Sequence, residues 1–184
     1  NQLIMTIIIK YIIGISLAIV TLLSCDTSKS LQSYIVEKQD DNRFMKVDFA
    51  TSLMSELDSL PEEQKQVLAA IKKMNVVAYP KKEGSQADFD METKRVSFIF
   101  DQERYQVLGS FKANNQNVTL MYLGKEDAID EVIVYAIDND KGFAIFRLLG
   151  NNMNPSDILK LSGMLEKGNI DLSKLTGLEA IFNE

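Results

Sequence analysis

The chain has 184 residues, 26 Asp+Glu against 20 Lys+Arg, one Cys, and neither His nor Trp. The length suits a single domain, and the composition excludes a His-assisted nucleophile, a Cys/His zinc site and any disulfide within the chain. A net charge of −6 without clustered Arg also excludes a nucleic-acid footprint, which needs dense cations facing the phosphates.

Leu3 to Leu23 is almost wholly apolar, interrupted by Lys10, and the run closes on Leu22-Leu23-Ser24-Cys25. The stretch from Tyr11 to Leu23 is 13 residues long. That falls short of the roughly 20 a membrane-crossing helix needs and suits a signal-peptide core. Aliphatic residues, then a small Ser24, then Cys25 form the lipobox pattern of bacterial lipoproteins. We therefore expect a signal peptide over residues 1–24 and lipidation at Cys25, with Met5 a candidate start. An uncleaved helix is disfavoured, because it would hold Lys10 near mid-membrane at about 2.5–3.5 kcal/mol. Two or more acyl chains on Cys25 would make a stable membrane anchor, where a single chain binds only marginally.

Residues 25–33 read as the lipidated Cys and a short polar tether, and residues 34–184 as one domain. Phe49, Leu53, Leu57 and Leu60 fall on one helical face, predicting a helix from about Asp48 or Ala50. Ser59-Leu60-Pro61-Glu62 is a capping box that opens a second helix. Val67, Ile71 and Met74 would be its buried stripe, with Lys72 and Lys73 at its negative end. Val76 to Tyr79 predicts a short strand before Pro80. Phe89, Val96, Ile99 and Phe100 favour a helix ending near Asp101, although Val96-Phe98-Phe100 also alternates as a strand would.

The second half reads as sheet. Ser110–Ala113 and Asn117–Leu123 flank Asn114-Asn115 as one hairpin. Glu131–Ile137 and Phe143–Leu149 flank Asn139-Asp140-Lys141-Gly142 as another. Val132 to Ile137 is apolar on both faces, so it is expected at the sheet centre, covered on both sides. Asn154-Pro155 caps a helix lined by Ile158, Leu161 and Leu165 and stopped by Gly168. Leu172 to Phe182 suggests a last helical segment. The sum is an α+β domain, with a largely antiparallel sheet of four to five strands and helices packed on it.

The chemical signals are sparse. Asp138-Asn139-Asp140-Lys141-Gly142 resembles the start of a calcium loop. Its Gly comes one position early, however, and Leu149 stands where a bidentate acid is due, so it reads as a hairpin tip. Gly124-Lys125 is followed by Glu126 rather than Ser or Thr, and no Gly-x-Ser-x-Gly occurs. Glu126-Asp127 and Asp130-Glu131 form an acidic cluster before the central strand, better read as a solvated loop than as a catalytic carboxylate pair. Tyr105, Tyr122 and Tyr135 read as core and rim aromatics. Arg147 interrupts an apolar strand; such a residue either binds an anion or, more often, pairs with an acid. Glu126, Asp130 and Arg147 are therefore the candidates for ligand or partner contact. No cofactor, metal or catalytic set is expected.

Asn42 to Phe49, Arg104 to Leu108, and the stretch from Met121 through Asp130 to Pro155 resemble a family of small Bacteroidetes lipoproteins. These share a domain of unknown function of the DUF 4252 type, and the likeness spans roughly residues 30 to 180. It implies a cell-envelope lipoprotein facing the periplasm or cell surface and supplies no functional residues. The function expected is a non-enzymatic, lipid-anchored binding or assembly module with an envelope protein partner. The alternatives are a stress-sensing regulator acting through a membrane partner and, third, a carboxylate-based hydrolase.

Overall fold

A computed structural model describes residues 30–50, 61–113, 116–125 and 127–167. The expected signal peptide, Cys25, Glu126 and the expected last segment after Gly168 lie outside the described residues. Six strands form one open sheet: β1 (Met45–Ala50), β2 (Ile71–Pro80), β3 (Gln106–Ala113), β4 (Gln116–Lys125), β5 (Ala128–Asp138) and β6 (Gly142–Met153). Their order is β1-β2-β6-β5-β4-β3, and every neighbouring pair is antiparallel. The helices are α1 (Leu31–Glu37), α2 (Glu62–Ala69), α3 (Gln86–Phe100) and α4 (Pro155–Glu166).

Strand alternation divides the core in two. Val76, Phe146, Val134 and Leu120 lie in register across four strands and share a core with Leu68 of α2 and with Ile158, Leu161 and Leu165 of α4. The intervening positions, Val77, Ile145, Ile133 and Met121, face the other way and pack with Leu31, Tyr34 and Ile35 of α1 and Phe89, Val96 and Ile99 of α3. The predicted central strand sits inside β5 with β4 and β6 on either side, its residues Val132 to Val134 buried on both faces. Each fully buried Leu or Ile removes enough apolar surface from water to contribute about 1.5–3 kcal/mol.

The sheet has six strands rather than four to five: Met45–Ala50 adds one, and Ile71–Met74 lengthens the predicted strand before Pro80. The helix expected from Asp48 or Ala50 does not begin there, because Met45–Ala50 is a strand paired with Ala78–Lys73. Val47 turns to the core while Lys46 and Asp48 take the opposite face, a period of two that the spacing from Phe49 to Leu53 hid. Leu53, Leu57 and Leu60 lie outside the described residues. The second helix ends at Ala69, and Ile71 to Met74 belong to β2. Ile71 and Met74 are buried as expected but as strand residues; Lys72 and Lys73 are exposed on the strand and close no helix. A chain with hydrogen-bonded neighbours on both sides outcompetes the weak local propensity for a longer helix. The polar stretch expected as tether is also folded from Leu31 onward, since α1 starts there and buries Leu31.

Other boundaries follow local chemistry. Ser85 and Asp88 form a reciprocal capping box at the start of α3, which ends at Phe100. Asn154 caps α4 by accepting from Ser156 N at 2.9 Å, with Pro155 in the first turn. At the β5–β6 tip, Asp138 Oδ1 accepts from Asp140 N at 2.8 Å and Lys141 N at 3.2 Å. The acid that resembled a calcium ligand thus holds the turn. Gly142 has φ +133°, and a Cβ there would stand 2.0 Å from the Tyr79 carbonyl oxygen. Gly142→Ala is expected to destabilise the fold by more than the about 1–3 kcal/mol of a strained backbone alone, read as a lowered urea midpoint.

Candidate functional site

Two polar groupings stand out against this apolar frame, and both tie α1 to the rest of the domain. The first is a row across the sheet. Asp48, Asn75, Arg147 and Ile133 are register partners on β1, β2, β6 and β5. Asn75 is buried, and its amide donates to Asp48 Oδ1. Arg147 Nη2 donates to Glu131 Oε2 at 2.6 Å, diagonally across β6 and β5. Its Nη1 donates to Gln32 Oε1 of α1. Both members of the Arg147–Glu131 pair are mostly shielded from water, which strengthens their attraction over that of an exposed pair. The guanidinium is held on two sides, with Nε buried and without a hydrogen-bond partner.

The sequence candidates therefore separate. Arg147 lies in this row. Asp130 is exposed at a bulge between β4 and β5, beside Gly124 with its φ of +117°. Glu126 lies outside the described residues. Tyr122 packs with the α2/α4 core, on the opposite sheet face from Arg147. Tyr135 lies on the α1/α3 face, where burial pushes its hydroxyl pKa up. Tyr105 accepts a hydrogen bond from the Leu31 backbone N–H at 3.0 Å, so it anchors the first turn of α1. Arg147→Ala would leave the buried Glu131 carboxylate without its cation. We expect a loss of about 1–3 kcal/mol in unfolding free energy, with Arg147→Lys recovering only part because the planar fork is gone.

The second grouping is more deeply buried. Glu92 of α3 is 0 % exposed and Lys38, just past α1, is 3 % exposed. Lys38 Nζ donates to Glu92 Oε1 at 2.6 Å, and the Tyr34 hydroxyl donates to Glu92 Oε2 at 3.0 Å. Arg95 reaches Glu92 Oε1 at 3.4 Å and binds both oxygens of Glu37 at 2.6 and 2.7 Å. The Lys38 ammonium also lies over the rings of Phe44 (4.9 Å) and Tyr34 (5.4 Å). Burial, and then the Glu92 carboxylate, drive the Tyr34 hydroxyl pKa far up, so it stays a donor. Sequence reasoning missed this cluster, although a signal existed. Glu92 sits three residues after Phe89 and four before Val96, an acid on the apolar stripe of a helix, which demands a buried partner.

A third, shallower cluster joins the segment before β1 to the N-terminus of α3. Arg43 binds Asp41 through Nε (3.0 Å) and Nη2 (2.8 Å) and reaches Asp88 Oδ1 through Nη1 (2.8 Å). The hydrogen bond from Arg43 lowers the Asp41 pKa from 3.8 to about 2. Ser85 and then Arg43 lower that of Asp88. A depressed folded-state pKa adds stability above the unfolded value, and that stability is lost as pH falls through the folded one. Native stability should therefore decline between pH 3.8 and about 2, and Asp41→Asn should flatten that slope in acid-unfolding curves.

These clusters join secondary elements and neutralise each buried charge in place. Among the described residues no group of three or more Cys, Asp or Glu could hold a metal ion. The description "Domain of unknown function (DUF4252)" matches residues 34–161. The chain belongs to the DUF4252 family. The match is narrower than the stretch from 30 to 180 suggested by resemblance; within the fold it runs from Tyr34 of α1 to Leu161 of α4. All six strands of the DUF4252 domain fall inside it, as do Lys38, Glu92, Glu131 and Arg147. No curated protein and no solved structure matches the chain.

Proposed function

We propose that this DUF4252 protein is a bacterial cell-envelope lipoprotein, acylated at Cys25, that works as a non-enzymatic binding or assembly module. The anchor half of the reading is supported by the apolar run that ends on Leu22-Leu23-Ser24-Cys25. The observation that carries the other half is the state of the buried charges. Glu92 and Glu131 are each engaged by a cation within hydrogen-bond distance. An acid–base catalyst needs a carboxylate or tyrosine directed at a substrate with a pKa near working pH. Here Glu92 joins α3 to α1 and the turn that follows it, Glu131 joins β5 to β6, and the Tyr34 and Tyr135 hydroxyls titrate well above their ordinary value. The family resemblance to Bacteroidetes lipoproteins agrees with this address.

The test is crosslinking and pull-down of the tagged protein from envelopes of its natural host. Recovery of one reproducible protein partner that depends on membrane attachment is expected. Repeated recovery of none, or turnover of a substrate abolished by a single carboxylate change, would replace the proposal.

A further inference from the structure

Among the described residues most large apolar side chains lie inside the domain; Met45 and Leu159 are exposed on the α2/α4 side and Val107 on the edge strand β3, and three more are exposed on the helices of the α1/α3 layer. Met91 and Phe98 of α3 are 48 % and 67 % exposed, and Val36 of α1 is 52 % exposed. Met91, Lys94 and Phe98 are spaced i, i+3 and i+7, one stripe along the outer side of the helix, with Lys94 exposed between them. Arg95, on the inner margin of that stripe, binds both carboxylate oxygens of Glu37, so α1 lies beside the stripe, with Val36 among its exposed residues. Apolar residues beside a lysine on one side of a helical layer suit the boundary between lipid headgroups and acyl chains.

The covalent chain limits where that flank can be. Only Asp26 to Ser30, five residues, separate Cys25 from Leu31 at the start of α1. Fully extended, this connector spans about 20 Å, against a domain of this size about 40 Å across. The α1 end of the domain is thereby kept near the acyl chains, and α1 carries Val36 itself. On this geometry, resting on the lipid anchor proposed above, we infer that the α1/α3 layer is the face by which the domain lies on the bilayer. Phe98, Met91 and Val36 enter the headgroup region and Lys94 meets the phosphates. The opposite layer, with Leu159 of α4 at 59 % exposure, faces away from the lipid.

The absence of Trp from the chain makes the test direct. Phe98→Trp and Leu159→Trp each place one reporter at an exposed site. Each processed protein is purified from host membranes and reconstituted into vesicles of phosphatidylethanolamine and phosphatidylglycerol, with or without bromine near the glycerol end of the chains. Expected is a blue-shifted Phe98→Trp emission that brominated lipid quenches strongly, with Leu159→Trp unshifted and unquenched. Quenching of neither reporter, of both alike, or of Leu159→Trp alone overturns the assignment of the face. The mass of the Cys25 peptide from the same preparation reports on the anchor separately. Acyl chains with an unquenched Phe98→Trp sink only the face, whereas a bare thiol sinks the anchor and the face together.

Discussion

Glu92→Ala is expected to lower the unfolding free energy by about 3–5 kcal/mol, the cost of stranding a buried cation. Lys38 is almost fully buried, and once Glu92 is gone its nearest acid is Glu37 at 3.8 Å. Tyr34 loses its acceptor at the same time, adding an unsatisfied buried hydroxyl. The pair is a poor source of net stability when intact, because desolvating both ions offsets most of their attraction. Removing the whole set should therefore be much milder than removing one member. Lys38→Met combined with Tyr34→Phe and Glu92→Leu should return most of the lost stability, measured by urea unfolding. Equal losses in the single and the triple variant would show that the ion pair is not what holds α1 to α3.

Phe143→Ala should rank beside it, at about 3–5 kcal/mol for a large side chain removed from a close-packed core. Phe143 is 0 % exposed, stacks on Tyr79 at 5.7 Å and 18°, and meets Phe44, Phe89 and Tyr135 edge-on or tilted at 6.0–6.4 Å. One ring thus joins β6 to β2 and β5, to α3, and to the segment before β1. The cavity left would be ringed by rigid aromatics and could not collapse. Phe98→Ala, the same chemical change at an exposed site, should fall within about 0.5 kcal/mol of the parent in the absence of membrane. Thermal unfolding of the two variants side by side separates packing from mere aromatic content. A Phe143→Ala midpoint no lower than that of Phe98→Ala would contradict the central place given to this ring.

The hairpins of the second half were legible because turn chemistry and strand pattern agree there. Asn-Asp-Lys-Gly sits between two apolar runs, and Gly142 takes the positive φ the tip requires. The fourth helix was legible for a similar reason, since Asn154 with Pro155 satisfies its first backbone N–H groups locally. The third was read from the spacing of Phe89, Val96 and Ile99, and its Ser85–Asp88 capping box went unread. Met45–Ala50 and Ile71–Met74 misled because their apolar spacing fits three or four residues as well as two. Their pairing partners lie far along the chain, at Ala78–Lys73 and at Leu148–Gly150.

The candidate site divides along the same line. That Arg147 needed a partner followed from its place in an apolar strand. That the partners are Glu131 and Gln32, 16 and 115 residues away in sequence, did not. The sequence alone determined the charge balance, the two strongest hairpins and the capped start of α4, since each rests on residues within a turn or two of one another. Only the tertiary structure decided the edge strand β1, the extension of β2 back to Ile71, the burial of Lys38 against Glu92, and which apolar side chains of α3 remain outside. Those depend on contacts across tens of residues, whose free energy no local pattern records.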